Sequence, residues 1–433
     1  MDVLNLGLLV LLVMLVLLGV GIWIPMAVAA AGWFCLEFFT TKQPARDLAS
    51  EFWSSSASWT LAALPLFIWM GEIMFRTRLS EQMFSGLAPW LNWLPGRLLH
   101  VNILGCGIFG SVSGSSAATC ATVAKSALPE LARRGYDEGI TLGSLATAGT
   151  LGILIPPSIT MVVYAVTADV SILQVFLAGF IPGFLLMALF SGYIVFWALT
   201  NPKKVPPREH FTGAQRWRSV KDLVPITLLV AFITVVMVMG WATATEAAAF
   251  GVVGALALAW LGGSLTRKTF SESLVSTTRL TCMIMMILAA TSFFKNAMAY
   301  TGIPRELAEW VGALGLSPYA LIAVLTLVYI VLGTALDGIS MIVLTTATIL
   351  PIVQKAGFDL VWFGIFIVLL VEIAEVTPPV GFNLFVLQNM TGHDSNYIAK
   401  VSFPFFMMLV VAIAIVTVFP GIVTWLPDIV MRQ

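Results

Sequence analysis

Long apolar runs constrain this chain before anything else does. Runs of 18 or more mostly apolar residues recur from end to end, and a helix needs about that length to cross the roughly 30 Å hydrocarbon core of a bilayer. Of the 433 residues, 59% are hydrophobic and 10% charged, against about 25% charged in a soluble domain. The expected fold class is therefore an all-α polytopic membrane protein; a β-barrel would show short alternating segments instead. Formal net charge is zero, so no nucleic-acid partner is expected. Cys35, Cys106, Cys120 and Cys282 form no C-x-x-C pair and read as small hydrophobes. His100, His210 and His393 are scattered and predict no metal cluster. The first apolar run has no basic leader and no small-residue cleavage signal, so it reads as a retained helix.

The interruptions are as informative as the runs. Gly110-Ser-Val-Ser-Gly-Ser-Ser-Ala-Ala-Thr119 is small and polar between apolar flanks, and Gly333-Thr-Ala-Leu-Asp-Gly-Ile-Ser340 resembles it in the other half. An unpaired backbone group costs several kcal/mol, roughly, in hydrocarbon, so such a loop persists at membrane depth only inside protein or beside a wet cavity. Each is read as the tip of a re-entrant hairpin, at about 98–132 and 318–354. Pro156-Pro157 and Pro378-Pro379 then break the apolar spans 138–166 and 360–390, because proline removes a backbone donor and clashes with the preceding turn. Other spans are expected at 4–23, 25–40, 58–76, 172–199, 222–241, 243–262, 272–299 and 402–427, with 41–57 an interfacial segment.

Four landmarks repeat at a nearly constant offset. Gly110 and Gly333 lie 223 positions apart, Gly114 and Gly338 224, and Leu128-Pro129 and the first Pro-Pro pair each lie 222 from their counterparts. This predicts two repeats, 1–199 and 222–433, joined by a soluble linker at 200–221. Five crossings and one hairpin per repeat is an odd number of crossings, so the second repeat is expected to be inverted. Lys203, Lys204, Arg208, Arg216, Arg218 and Lys221 place the linker in the cytoplasm and both termini outside. On that topology 14 basic residues fall on inside ends and loops and 5, including Lys42, Arg305 and Arg432, on outside ones.

Inverted repeats with broken helices meeting at the midplane are a secondary-transporter design, in which unwound carbonyls coordinate a cation and helix N-termini favour an anion. The candidate Na⁺ ligands are Gly110, Ser113, Gly152, Ile155 and Pro157 in the first half, and Gly333, Ala374, Thr377 and Val380 in the second. The competing reading is that the glycines only permit close helix packing. Cargo is expected between the tips, at Ser113, Gly114, Ser115, Ser116, Asp337, Gly338 and Ser340. Asp337 has an equally simple role as the cap of the following helix. Glu72, Glu246, Lys295, Glu372 and Glu375 also lie in apolar sequence and are expected in structural pairs or near an interface. Catalysis has no poised acid–base or nucleophile pair here, and two closed tips suit alternating access better than an open pore.

Five motifs in order then resemble a known family: the Gly110 stretch, Gly-Ile-Leu-Ile-Pro-Pro-Ser, Thr-Glu-Ala-Ala-Ala, Leu-Asp-Gly-Ile-Ser-Met and Thr-Pro-Pro-Val-Gly-Phe-Asn. Together they resemble the large membrane subunit, DctM type, of TRAP transporters. The resemblance implies an elevator-type transporter of the ion transporter superfamily in a bacterial or archaeal inner membrane. It implies Na⁺-coupled import of an organic acid, a periplasmic DctP-type binding protein and a small four-helix DctQ-type subunit on a separate chain. It assigns both sets of carbonyl ligands to sodium sites and adds Asn383 to the substrate residues. Ala374 stands where family members often carry glycine. The alternative is a stand-alone symporter or antiporter of the same architecture.

Overall fold

The computed structural model describes residues 3–77, 86–208, 211–334, 336–379 and 381–431, and among them every regular element is a helix. Arg78, His210, Val380 and Arg432 lie outside the described residues. The first half runs through α1 Val3–Gly19, α2 Ile24–Phe39, α3 Pro44–Ser56, a 3₁₀ turn Trp59–Ala62, α4 Ala63–Arg76, α5 Leu99–Ser113, α6 Ser116–Arg133, α7 Glu138–Ala148, α8 Leu151–Leu154, α9 Ile159–Ala168 and α10 Ile172–Thr200. The second continues through α11 Gly213–Val238, α12 Ala244–Leu261, α13 Arg267–Thr301, α14 Ile303–Ala313, α15 Pro318–Gly333, α16 Gly338–Lys355, α17 Leu360–Glu375, α18 Phe382–Thr391, α19 Ser395–Val418 and α20 Gly421–Met431.

The two halves share local chemistry as well as element order. Ser115 and Asp337 cap α6 and α16, and Asp137 and Asp359 cap α7 and α17, each pair 222 positions apart. A side-chain oxygen there satisfies one of the orphan N–H groups of a first turn. Pro129 and Pro351 sit inside the equivalent helices α6 and α16.

Four stretches set the boundaries of these elements. The 41–57 segment is helical, and α3 meets the following 3₁₀ turn and α4 at 54°. Its serine run favours the break: Ser54 Oγ donates to Glu51 O at 3.2 Å, a local bond that competes with the helix ladder. The equivalent stretch of the second half, α13, is one helix of 35 residues. Within the expected linker, 200–221, α11 already starts at Gly213, where Thr212 and Gln215 form a reciprocal capping box. At the C-terminal end α19 stops at Val418, just before Phe419-Pro420, and α20 begins separately. Among the described residues six helices are long and apolar enough to cross a membrane, or up to eight counting two bent pairs. The hairpin arm α16 is one of the six, although 67% of its apolar stretch is buried inside the protein.

Helix α17 organises the interior. Apart from Glu372 it is apolar all round, as an enclosed helix tends to be, and every residue from Trp362 to Ala374 is buried. Its start is fixed by two polar anchors: Tyr164 donates to Leu360 O at 2.6 Å and Trp362 Nε1 to Val416 O at 3.1 Å. A second, separate core joins α1 and α2 to α13 and α14 through Leu6, Val28, Leu36, Phe293 and Ile303.

A candidate binding site between two helix breaks

The first tip is built by glycine geometry. Gly114 has φ 61°, ends α5 and donates its N–H to Gly110 O at 2.8 Å. Ser115 then starts α6, accepting from Ala118 N at 3.4 Å. The Ser113 and Thr119 hydroxyls lie 2.6 Å apart, and Thr119 Oγ1 donates to Ser115 O at 2.7 Å. This tip rests on the first broken helix with no room for a side chain. A Cβ on Gly110 would strike the Gly152 backbone, and one on Gly152 would meet Thr119 Oγ1 at 2.6 Å. Beyond it Ile155 is extended, Pro156-Pro157 is cis, and Ser158 restarts the chain as α9 by accepting from Met161 N at 3.4 Å. The whole break, 151–160, is buried.

The second tip uses the same plan with different atoms. A Cβ on Gly333 would strike the Ala374 methyl, and one on Gly338 would strike Val371. Ala374 is the positional equivalent of Gly152, so the second half has one methyl in the place where the first has none. The Ala374 carbonyl accepts from Val376 N and, at 3.2 Å, from Thr377 N, while the Thr377 carbonyl accepts one backbone N–H, from Gly381 at 3.1 Å, which leaves a lone pair on Thr377. Asp337 caps α16 by accepting from Ser340 N at 3.1 Å, and also from the Ser340 hydroxyl. Unlike its counterpart, this break is open: Pro378 and Pro379 are exposed.

The tips meet at a cavity of about 190 Å³. Gly114, Ser115, Ser116, Asp337 and Gly338 line it, with Ile159 and Phe382 from the starts of α9 and α18. Ser113, Ser340 and Asn383 are off its wall. Ser113 is held by Thr119 and Ser340 by Asp337. Asn383 is a fully buried strut that accepts from Ser116 Oγ at 3.0 Å and donates to Ala146 O at 2.8 Å. Of the carbonyl candidates, Gly110 packs on Gly152 and Gly333 on Ala374; Ile155 and Pro157 lie in the first break and Thr377 in the second.

Two acids carry more of the site than sequence position revealed. Glu375 lines the cavity beside Asp337, and its Oε2 has no protein partner. Glu372, fully buried, accepts from Thr150 Oγ1 at 3.1 Å, while its other oxygen is unpartnered. Thr150 and Glu372 are equivalent positions of the two halves, so their contact marks where the halves cross. The other acids in apolar sequence are structural. Glu72 pairs with Arg76 at 2.9 Å, and Glu246 completes the capping box of Thr243.

A polytopic helical protein whose two broken helices face two helix-joining tips across one cavity has the layout of a secondary transporter. The chain belongs to the family described as "Tripartite ATP-independent periplasmic transporter, DctM component", whose model matches residues 9–422. It is 32% identical to the C4-dicarboxylate TRAP transporter large permease protein DctM of Pseudomonas aeruginosa, covering 88% of this chain and 90% of that one. It is 28% identical to the ectoine TRAP transporter large permease protein TeaC of Halomonas elongata, covering 96% and 97%. The fold is similar to the crystal structure of the Alcanivorax borkumensis YdaH transporter, with TM-score 0.58, 12% identity and coverage of 86% and 87%. The chain is thus a TRAP transporter large permease, a membrane transport protein and not an enzyme.

Proposed function

We propose that this chain is the translocating subunit of a Na⁺-coupled importer of an organic acid. A periplasmic binding protein hands over the cargo, and a small four-helix subunit braces the membrane part. The observation that carries this reading is the single cavity shared by both tips and both broken helices. The two repeats are inverted across a bacterial or archaeal inner membrane, with both termini periplasmic and the hairpins re-entrant. The protein then works by an elevator movement.

The residues fit a hard, monovalent cation. Near the first tip the Gly110, Gly152 and Ile155 carbonyls and the Ser113 hydroxyl are neutral oxygens, the ligand type that suits such an ion. For the second site the candidates are Gly333, Ala374 and Thr377, of which the Thr377 carbonyl retains acceptor capacity, with Val380 a candidate from sequence alone. A bound Na⁺ supplies positive charge at an otherwise acidic cavity. That explains coupling: two unit charges about 4 Å apart interact by about 4 kcal/mol at an effective dielectric of 20. A carboxylate facing Asp337 is therefore repelled until cations order behind the tips. By linkage, cargo tightens Na⁺ by the same factor that Na⁺ tightens cargo.

The test is reconstitution. Proteoliposomes holding this chain and its small subunit should take up the acid only with the binding protein added and an inward Na⁺ gradient. A thermal-shift screen of that binding protein against organic acids identifies the cargo. Uptake at full rate without the binding protein would favour a stand-alone symporter, and uptake indifferent to Na⁺ would remove the cation sites.

A further inference from the structure

A second polar cavity, of about 260 Å³, lies between α3, α9, α13 and α16. Its wall includes Ser54, Ser58, Thr167, Thr291, Thr346 and Lys295, and among the described residues holds no acid. Lys295 makes no hydrogen bond or ion pair among the described residues. Thr291 is 4% exposed, and its hydroxyl has no partner. Glu51, on the same helix as Ser54, is held by Ser292 and Asn296 and not by Lys295.

The placement of this cavity is as telling as its chemistry. It shares three helices with the tip cavity: Thr167 and Ile159 on α9, Thr291 and Ile284 on α13, and Thr346 and Gly338 on α16. Each pair is seven or eight residues apart, about 10–12 Å at 1.5 Å per residue. The two cavities are thus consecutive along one set of helices, with opposite electrostatic character. One presents an unpaired ammonium and hydroxyls; the other presents Asp337 and Glu375.

We propose that the Lys295 cavity is a relay site for the carboxylate of the cargo, occupied before the tip site during import. This rests on the importer reading above, whose topology puts it at the periplasmic end. Lys295 and the Thr291 hydroxyl supply charge-assisted and neutral hydrogen bonds to one carboxylate, and the volume suits an acid of a few carbons. Because Lys295 is exposed, the site holds its anion weakly, as a relay must if the cargo is to move on.

Reductive methylation of lysines by formaldehyde and cyanoborohydride, read by mass spectrometry, tests this on the purified chain with its small subunit. Succinate is the probe and uncharged succinamide the control. Succinate should slow methylation of Lys295 about threefold or more, leave the exposed Lys268 unchanged, and protect less in Thr291→Val. Protection should persist in Gly338→Val, a tip variant expected not to transport, so this site and the importer reading fail separately. In reconstituted uptake, Lys295→Met should raise the half-saturating cargo concentration about threefold and leave the Na⁺ dependence at saturation unchanged. Equal methylation of Lys295 in succinate and succinamide would overturn the proposal. So would a Lys295 shielded by the small subunit alone, with no effect of succinate, because the lysine would then belong to a subunit contact.

Discussion

Asn383 shows what a single buried amide does here. It holds Ser116 through one end and the Ala146 carbonyl through the other, so it fixes the first tip from a helix of the second half. Asn383→Ala leaves both partners unpaired in the interior, which costs about 1–3 kcal/mol per group. Thermal unfolding in detergent should show a clear drop in melting temperature, and an unchanged melt would mean water replaces the amide. Glu375→Gln keeps the shape of the cavity and removes an ionisable carboxyl. The ratio of cargo affinity with and without Na⁺ should shrink several-fold from the 5–150-fold typical of coupled sites. An unchanged ratio would show that Glu375 does not face the cargo. Outside the membrane, burial pushes the Asp137 carboxyl up, but its bonds to Lys204, at 2.9 Å, and to Ile140 N outweigh this and hold it below the ordinary value of 3.8. A carboxyl depressed on folding stabilises above its unfolded pKa, and that stability is lost as pH falls through the folded one. Lys204→Met should therefore raise the pH at which acid unfolding begins, below about pH 4; an identical acid limb would show that the pair contributes nothing.

At the scale of elements, the tips and breaks make one unit: a hairpin end seated on a broken helix through a contact that excludes Cβ. Gly110→Val and Gly338→Val should abolish Na⁺-driven uptake while the protein still inserts, as assayed by membrane fractionation beside transport. Near-normal uptake would return the glycines to a plain packing role. This unit was readable in the sequence because its signals are local: glycine and serine between apolar flanks, Pro-Pro, and a cap at position one of the next helix. Asp337 proved to be both a cap and a cavity wall, so neither sequence reading excluded the other. The Asn383 strut and the Thr150–Glu372 contact were not readable, because each joins residues more than 200 positions apart. The Thr212–Gln215 capping box was present in the sequence and would have moved the start of α11 back to Gly213.

Across the whole molecule, the repeat sets what sequence could predict and what it could not. The offset of 222 returns as paired caps at Ser115 and Asp337 and at Asp137 and Asp359. Within that frame the halves diverge in packing. One bundle break is buried and the other exposed, and a bent pair in one half matches a single long helix in the other. Such differences depend on which face each element turns to its neighbours, which spacing along the chain does not encode. The central claim is that the two tip-and-break units each hold a sodium ion and together hold the cargo. Equilibrium binding of radioactive sodium to the purified protein tests it most directly. Gly110→Val and Gly333→Val should each remove one class of site, and the double variant should remove both along with Na⁺-dependent cargo binding. Undiminished sodium binding in the folded double variant would contradict the account.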